Sequence, residues 1–290
     1  MPIAARTGIM LAAPWPVSLG WRTRPRLMTI KKITLLKIYR TLLAPRRLLA
    51  CAVLALPLLG QAAELNRYVF QDTGYSVCKI DLDKDAVRMY WKDDRGQEFR
   101  RLNQLKLWLR QRGEELVCAT NAGIYDTDLR PRGLYIEDGL VKRQLNERKN
   151  AYGNFYIQPN GALLLGDRRA AIIDTDQLSR HRDTLLAGVS FATQSGPILI
   201  YHGQINTLFM PDSENRVIRN AACTGPGNTL TLVVSRDVVS FYMFARFLRE
   251  KLACNDALYL DGSVSRMYPG EVFEVGPDFG AMIGVTKKSP

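Results

Sequence analysis

Four apolar segments of the sequence run directly into small and polar residues that could bind a ligand or act on it. They are residues 119–126, 192–199, 217–223 and 257–265. Their side chains supply amides, hydroxyls, a guanidinium and a carboxylate, which suit a polyhydroxylated or phosphorylated ligand. Glycine beside a polar residue lets such a ligand approach the backbone closely. The predicted site residues are Asn121, Gly123, Gln194, Ser195, Gly196, Arg219, Asn220, Asp261, Gly262, Ser263 and Ser265.

Several other chemistries lack the residues that they require. The chain has two histidines, His181 and His202, both expected at the surface, so a His-ligated metal site or a Ser-His-Asp triad is disfavoured. No Gly-x-x-x-x-Gly-Lys loop, Rossmann glycine pattern or His-Glu-x-x-His motif occurs. Calcium near Asp126 and Asp128 is conceivable, but such a pair without further ligands is typical of a solvated turn. We therefore expect no cofactor.

Short strands predominate among the elements predicted to position the site. Alternating apolar and polar residues, with turn residues between them, predict these strands and two tight hairpins, around Asp138-Gly139 and Asn160-Gly161. The predicted strands are 68–71, 76–82, 86–92, 116–120, 133–136, 140–144, 154–158, 162–165, 188–193, 198–201, 217–223, 229–235, 257–260 and 282–286.

Apolar residues at helical spacing predict a few helices. One spans 99–110, with Leu102, Leu105 and Leu109 on its buried face, a second spans 240–252, and a short one spans 174–182. No Gly/Ser/Pro-rich linker or repeat divides residues 64–290. The prediction is a single α+β domain of mixed, largely antiparallel sheet with a few flanking helices.

The formal net charge of +12 is concentrated at the N-terminus. Residues 1–63 contain ten Lys and Arg and no Asp or Glu, which leaves 30 basic and 28 acidic residues in the remainder, a net charge of +2. Basic residues, the apolar run 48–59 and the small residues Gly60, Ala62 and Ala63 form the layout of a signal peptide. We expect a periplasmic or secreted mature protein without a stable membrane span. Its near-neutral charge disfavours a nucleic-acid partner.

The cysteine content agrees with export. Cys51 lies in the leader, and the four others, Cys78, Cys118, Cys223 and Cys254, permit two disulfides in an oxidising compartment or four buried thiols. Of the three possible connectivities, we favour the one that contains Cys223–Cys254, because both cysteines lie among elements that could be neighbours.

The polar segments resemble the ordered motifs of the phosphodiester glycosidase domain family. The matching stretches are Asn121-Ala-Gly-Ile-Tyr125, Pro131-Arg-Gly-Leu-Tyr135, Gly153-Asn-Phe-Tyr156, Gln194-Ser-Gly-Pro197, Arg219-Asn220 and Leu258-Tyr-Leu-Asp-Gly-Ser263. The resemblance spans residues 116–285 and is nearest to an exported bacterial subgroup, because Asp261-Gly-Ser-Val-Ser-Arg-Met267 is less glycine-rich than in the branch of N-acetylglucosamine-1-phosphodiester α-N-acetylglucosaminidase. It implies an α+β fold and hydrolysis of a sugar–phosphodiester bond.

The hypothesis that follows assigns catalytic roles to Asp261, Arg219 and Asn121. Arg219 would clamp the phosphate, Asp261 would act at the anomeric carbon or on water, and the remaining site residues would orient the sugar and the phosphate. Two alternatives stay open: a non-catalytic protein that binds cell-envelope glycan through the same pocket, and a phosphodiesterase that cleaves P–O.

Overall fold

A computed structural model of the chain describes residues 63–261, 264–270 and 276–287. These residues belong to one compact unit. The predicted signal peptide, together with Gly262 and Ser263 of the predicted site, lies outside the described residues.

The described residues contain sixteen strands, numbered in chain order. They are β1 (Glu64–Phe70), β2 (Thr73–Asp81), β3 (Asp85–Tyr90), β4 (Leu116–Asn121), β5 (Tyr135–Glu137), β6 (Leu140–Arg143), β7 (Gly161–Gly166), β8 (Arg169–Asp174), β9 (Phe191–Ser195), β10 (Ile198–Tyr201), β11 (Gln204–Ile205), β12 (Asn220–Thr224), β13 (Thr229–Ser235), β14 (Asp256–Tyr259), β15 (Met267–Tyr268) and β16 (Met282–Lys287).

The strands form three sheets in which each described pairing is antiparallel. The seven-stranded sheet has the order β1-β2-β13-β12-β14-β10-β11, the four-stranded sheet β15-β4-β16-β3, and the five-stranded sheet β6-β5-β9-β7-β8. All three sheets contribute side chains to one apolar core, for example Leu258, Ile283 and Leu163. The site residues therefore come from sheets whose inner faces share this core.

Helices cover the outer faces of this arrangement. They are α1 (Leu102–Gln111), α2 (Thr175–Arg180), α3 (Arg182–Leu186) and α4 (Phe241–Leu252). Ser240 caps α4 by accepting a hydrogen bond from the Met243 amide at 3.2 Å, and α4 packs Phe244, Phe247 and Leu248 onto the second face of the seven-stranded sheet. None of the helices in the described part has both the length and the apolar character to cross a bilayer. The predicted α+β class is confirmed.

One predicted hairpin is wrong. Residues 154–158 are not a strand, because Asn154–Tyr156 forms a 3-10 helix, and the Asn160-Gly161 pair is not a turn between strands. The Asn160 side-chain amide is buried and donates to the Phe155 carbonyl at 2.8 Å. A Cβ at Gly161 would lie 2.4 Å from the Ile173 carbonyl oxygen, so this glycine permits close strand packing.

The observed hairpin at this point joins β7 and β8 through Asp167 and Arg168. Both have positive φ, 46° and 59°, and the sequence analysis missed β8. The predicted turn at Asp138-Gly139 is confirmed, with φ values of 50° and 75°. The strand predicted over 217–223 begins later, at Asn220, so Arg219 directly precedes β12.

Two disulfides connect distant parts of the chain. Cys223–Cys254, the favoured pair, is confirmed and joins β12 to the second residue after the end of α4. Cys78–Cys118 joins β2 of the seven-stranded sheet to β4 of the four-stranded sheet. The second bridge therefore holds together two sheets that also build the site.

We expect replacement of Cys78 and Cys118 by alanine to lower the free energy of unfolding. The bridge closes a separation of 40 residues, and loss of a loop of that size costs about 4 kcal/mol through the unfolded chain. Urea unfolding of the double variant measures the change, and wild type in reducing agent is the control. A loss below about 1 kcal/mol would contradict the expectation.

Candidate active site

The predicted site residues that the structure describes lie where the three sheets adjoin. β4 of the four-stranded sheet ends at Asn121, β9 of the five-stranded sheet ends at Ser195, and β12 of the seven-stranded sheet begins at Asn220. β14 pairs with β12 and leads to Asp261. The polar ends of four strands that are far apart in sequence are therefore neighbours, as the sequence analysis expected.

The side-chain amide of Asn220 connects these strand ends. Its Nδ2 donates to Thr120 Oγ1 at 3.1 Å and to the Asn121 carbonyl at 2.9 Å. Its Oδ1 accepts from the Asp261 amide at 2.7 Å. All of these atoms are buried, so the bonds are protected from exchange with water. Asn220 thus positions both Asn121 and Asp261.

The chain after Asp261 returns to the same group. Ser265 Oγ donates to Asn220 Oδ1 at 3.3 Å and also contacts the Asp261 carbonyl. The Arg266 amide donates to Asn121 Oδ1 at 3.1 Å. The other polar atom of this buried side chain, Asn121 Nδ2, has no hydrogen-bond partner among the described residues. Asn121 is thereby oriented by its oxygen and retains donor capacity on its nitrogen.

Ser195, Gly123 and Gly196 hold strand ends together. Ser195 Oγ donates to the Leu260 carbonyl at 2.6 Å and accepts from the Ile124 amide at 3.3 Å. A Cβ on Gly123 would lie 2.5 Å from the Gln194 carbonyl, and one on Gly196 would lie 2.7 Å from the Phe155 carbonyl. The glycines are thus required by close packing within the protein.

The side-chain amide of Gln194 forms all of its hydrogen bonds with other groups of the protein. Its Oε1 accepts from the amides of Leu134 and Asn146, both at 2.9 Å. Its Nε2 donates to the Asn146 carbonyl at 2.8 Å and to Thr175 Oγ1 at 3.1 Å. With two acceptor and two donor bonds, the amide has no capacity left for a ligand. Gln194 anchors the segment around Asn146 to β9.

Arg219 is completely buried and is held by neutral groups. Its Nε donates to the Val239 carbonyl at 2.8 Å, and its Nη2 donates to the Asn215 carbonyl and side-chain oxygen at 2.9 and 3.1 Å. Its guanidinium carbon lies 3.7 Å from the centroid of the Phe241 ring. Nη1 has no hydrogen-bond partner, and no carboxylate pairs with Arg219, within the described ranges. Among the described residues, the buried Arg219 guanidinium is therefore held by carbonyl and amide oxygens and an aromatic ring, and no carboxylate forms a salt bridge with it.

Arg219 and Asn220 face opposite sides of the sheet. Arg219 contacts Phe241 and Tyr259 on the side covered by α4, whereas Asn220 reaches Thr120 and Asn121 on the side of the shared core. In the antiparallel register, Ala221 pairs with Tyr259, and continuing it by two residues places Arg219 opposite Asp261. The cation and the carboxylate therefore project on the same side.

The charge of Asp261 acts on two tyrosine hydroxyls. Burial raises the pKa of the Tyr259 hydroxyl, Arg219 lowers it by a smaller amount, and Asp261 raises it further. Burial also raises the pKa of the Tyr125 hydroxyl, and the charge of Asp261 adds to that increase. Burial lowers the pKa of the Arg219 guanidinium, which nevertheless stays charged at neutral pH. Both hydroxyls thus remain protonated at neutral pH.

The sequence analysis missed Thr120, Tyr125 and Tyr259. Tyr259 lies two residues before Asp261, and strand alternation puts both on one face. Tyr125 ends the quoted motif that begins at Asn121. Alternation along 257–261 would have found Tyr259, whereas the contact of Thr120 with Asn220 spans 100 residues and has no local signal.

Asp126 and Asp128 are engaged by arginines. Asp126 accepts from Arg132 Nε at 2.8 Å, and Asp128 lies 3.0 Å from Arg130 Nε. The described residues contain no group of three or more His, Cys, Asp or Glu side chains that could hold a metal ion. Carboxylates already facing guanidinium groups are poorly suited to binding calcium.

Two clefts lie away from this group. One, of about 380 Å³, lies between α1 and Tyr268, and the other, of about 190 Å³, lies beside the β7–β8 hairpin. The residues that line them include none of the predicted site residues. The Arg219 side chain is fully buried, and Asn215 of the segment 206–217 accepts two hydrogen bonds from its Nη2.

Comparisons with known proteins agree with this class of fold. A family model described as "Phosphodiester glycosidase" matches residues 114–282. The chain therefore belongs to the phosphodiester glycosidase family. It is 31% identical over 217 residues to "Uncharacterized protein YigE" of Escherichia coli, a match that covers 75% of this chain and 83% of that protein.

A solved structure shows the same fold. The match is "Zebrafish N-acetylglucosamine-1-phosphodiester alpha-N-acetylglucosaminidase (NAGPA) catalytic domain auto-inhibited by pro-peptide", with a TM-score of 0.52 and 11% sequence identity. It covers 78% of this chain and 82% of that one. The predicted family resemblance is confirmed by the family model.

We expect Asn220→Asp to destabilise the protein, more strongly as the pH rises. A carboxylate oxygen would replace the Nδ2 donor and face the Asn121 carbonyl, at a cost of about 2–4 kcal/mol. Burial raises the pKa of the new carboxyl, so the folded state keeps a proton that the unfolded state releases near pH 4. The loss relative to wild type should therefore grow from about pH 4 to pH 7.

Urea unfolding of Asn220→Asp and wild type at pH 5 and pH 7 measures this difference. The matched control is Asn150→Asp at an exposed position, which should stay within about 0.5 kcal/mol of wild type. An Asn220→Asp variant with wild-type stability at pH 7 would show that Asn220 does not hold the strand ends together.

Proposed function

We propose that this protein is an exported hydrolase that cleaves the glycosidic C–O bond of a sugar-1-phosphodiester. The products are the free sugar and a phosphate monoester. The observation that carries the proposal is Arg219, a buried guanidinium whose Nη1 has no hydrogen-bond partner in the part of the chain that the structure describes and which lies on the same side of the sheet as Asp261. Membership of the phosphodiester glycosidase family supports it.

The leaving group decides what the site must supply. A phosphate monoester is a weakly basic leaving group, so the strong general acid of ordinary glycosidases is less necessary. The reaction instead benefits from positive charge near the phosphate and negative charge near the oxocarbenium-like sugar. A single arginine and a single carboxylate on one side of a sheet match this requirement.

Arg219 would bind the phosphate. Nη1 has no hydrogen-bond partner among the described residues, and Nη2 would lose its two bonds to Asn215 if that residue withdrew and admitted the phosphate. The Nη1–Nη2 edge could then bind two phosphate oxygens as a fork. Nε would stay bonded to Val239 and keep the guanidinium in place.

Asp261 would act at the anomeric carbon, as a nucleophile or as a base that activates water. In the net reaction, a water oxygen bonds C1, and the electrons of the C1–O bond leave with the phosphate. The protons of the water end on the sugar hydroxyl and on Asp261 or solvent. Asn121 would donate through Nδ2 to a substrate oxygen. Gly262, Ser263 and Ser265 would complete the binding of the substrate, and Asn220, Ser195, Gln194, Gly123 and Gly196 would hold the strand ends.

The location proposed for this reaction is the periplasm or the exterior of the cell. Two disulfides favour an oxidising compartment. The basic and apolar residues before Gly60 support export by a cleaved signal peptide. The partner would accordingly be an extracytoplasmic carbohydrate phosphodiester.

Asp261→Asn should lower kcat by about two to four orders of magnitude, because the amide can neither attack nor accept a proton. Turnover of a panel of sugar-1-phosphodiesters by the purified mature chain is the measurement. The control is Asp176→Asn, at an exposed carboxylate on α2 that pairs with Lys149. Near-normal turnover by a folded Asp261→Asn variant would remove Asp261 from the mechanism.

The same assay in oxygen-18 water identifies the bond that is broken. Label in the sugar means C–O cleavage, as proposed, whereas label in the phosphate means that the enzyme is a phosphodiesterase that cleaves P–O. Saturable binding of the substrate without any product would assign the site to a glycan-binding protein.

Arg219→Lys should impair phosphodiester substrates selectively, because lysine cannot present a two-pronged edge to phosphate. We expect kcat/KM for a sugar-1-phosphodiester to fall by about 10²–10³-fold, with a much smaller effect on a neutral aryl glycoside of the same sugar. Arg216→Lys, at an exposed position three residues away, is the matched control. An equal loss on both substrates would contradict a phosphate contact.

A further inference from the structure

Four exposed apolar side chains belong to the two segments that form hydrogen bonds with the Arg219 side chain. Leu208 and Met210 are 61% and 60% exposed, and Val217 and Val238 are 37% and 55% exposed. We call these four residues the apolar rim. Leu208, Met210 and Val217 belong to the segment 206–217, and Val238 belongs to the turn between β13 and α4. Exposed apolar clusters of this kind mark ligand-binding or interaction surfaces.

Both rim segments contact Arg219 directly. The segment 206–217 does so through Asn215, and the turn does so through the Val239 carbonyl. Val217 and Val239 also form a backbone bridge, which joins the two segments. The rim is therefore built on the backbone that encloses the guanidinium.

Two stacked aromatic rings lie between the rim and the Arg219 guanidinium. Phe209, between Leu208 and Met210, packs its ring on Phe241 with centroids 4.9 Å apart and an interplanar angle of 15°. Phe241 also contacts the guanidinium of Arg219, 3.7 Å from the ring centroid, and the Tyr259 ring, with centroids 4.8 Å apart. A ligand group on Nη1 would thus lie close to an apolar surface that is open to solvent.

Exposed large hydrophobic residues are more frequent in the rim than elsewhere in the described part of the chain. The described residues include nine exposed large hydrophobic residues, and four of them are in the rim. The others, Val69, Leu107, Leu140, Val141 and Tyr152, are spread over β1, α1, β6 and the loop before the 3-10 helix. The polar residues that flank the rim carry both signs, so they add no strong net field. They are Asp212, Glu214, Arg216, Arg236 and Asp237.

We infer that the alcohol esterified to the substrate phosphate is apolar, so that the substrate is a sugar-1-phosphodiester of a lipid-like alcohol. This inference rests on the proposed function. The diester carries one negative charge, which matches the buried cation, and its hydrocarbon chain matches the rim above that cation. Ordinary polar aglycones would leave the rim in water.

The substrate enters when the segment 206–217 moves away from Arg219. The chain then packs against Leu208 and Met210, and the phosphate takes the position that Asn215 holds on Nη2. The burial of the chain compensates for the contacts that the segment gives up.

The test compares two substrates with the same sugar, a methyl and an octyl phosphodiester, at concentrations below micelle formation. We expect kcat/KM for the octyl substrate to exceed that for the methyl substrate by about 30-fold, which corresponds to two or three buried methylenes. In Leu208→Ser/Met210→Ser, the octyl-to-methyl ratio should fall to about 3-fold or less.

The matched control is Leu140→Ser/Val141→Ser, which removes two comparably exposed apolar residues from the β5–β6 hairpin. This variant should keep the wild-type ratio. A ratio near 1 for wild type with active turnover of both substrates would overturn the apolar subsite and leave the proposed function intact. A rim variant with an altered oligomeric state in sedimentation and a wild-type ratio would assign the rim to contact with a second copy.

If no turnover is found, binding measurements test the apolar subsite separately from the proposed hydrolase activity. Calorimetric titration with octyl phosphate and methyl phosphate should give a Kd at least about 10-fold lower for octyl phosphate, and the rim variant should abolish the difference. Such binding without hydrolysis would retain the subsite and reject the hydrolase. Equal affinity for the two phosphates would reject the subsite.

Discussion

The buried side-chain amide of Asn220 is the interaction on which the arrangement of the site depends. It bonds Thr120 and the Asn121 carbonyl of β4 through its nitrogen and the Asp261 amide through its oxygen. Because a buried polar group without a partner is costly, these elements have one favourable relative position. The Asp261 backbone is consequently held at a defined place by a residue that faces the core.

Arg219 directly precedes Asn220 in the chain, and its side chain points to the opposite face of the sheet. Alternation turns its side chain toward α4, where carbonyl oxygens and the Phe241 ring receive the guanidinium without neutralising it. A buried charge is tolerated more readily with an opposite charge nearby. A phosphate would supply that charge. It would replace Asn215 of the segment 206–217, which now accepts the hydrogen bonds of Arg219 Nη2.

Local patterns predicted much of the fold. The spacing of Leu102, Leu105 and Leu109 indicated α1, and Asp138-Gly139 indicated the β5–β6 hairpin, because helix periodicity and positive φ are properties of neighbouring residues. Asn160-Gly161 has the same type of local sequence but a different structural role, because it does not form a turn between two strands. There the Asn160 amide bonds Phe155 and the glycine admits a neighbouring backbone, and such requirements arise only when the sheets pack.

The sequence by itself determined which polar residues end the apolar strands, that Arg219 and Asp261 are charged groups in such positions, and that Cys223 and Cys254 could pair. The tertiary structure alone decided that the Asn220 amide bonds Thr120 and the Asn121 carbonyl, that the Gln194 amide bonds Leu134, Asn146 and Thr175, and that the Val239 carbonyl accepts a hydrogen bond from Arg219. Strand register and sheet packing set these relations. Both depend on contacts between residues far apart in the chain, which no local pattern encodes.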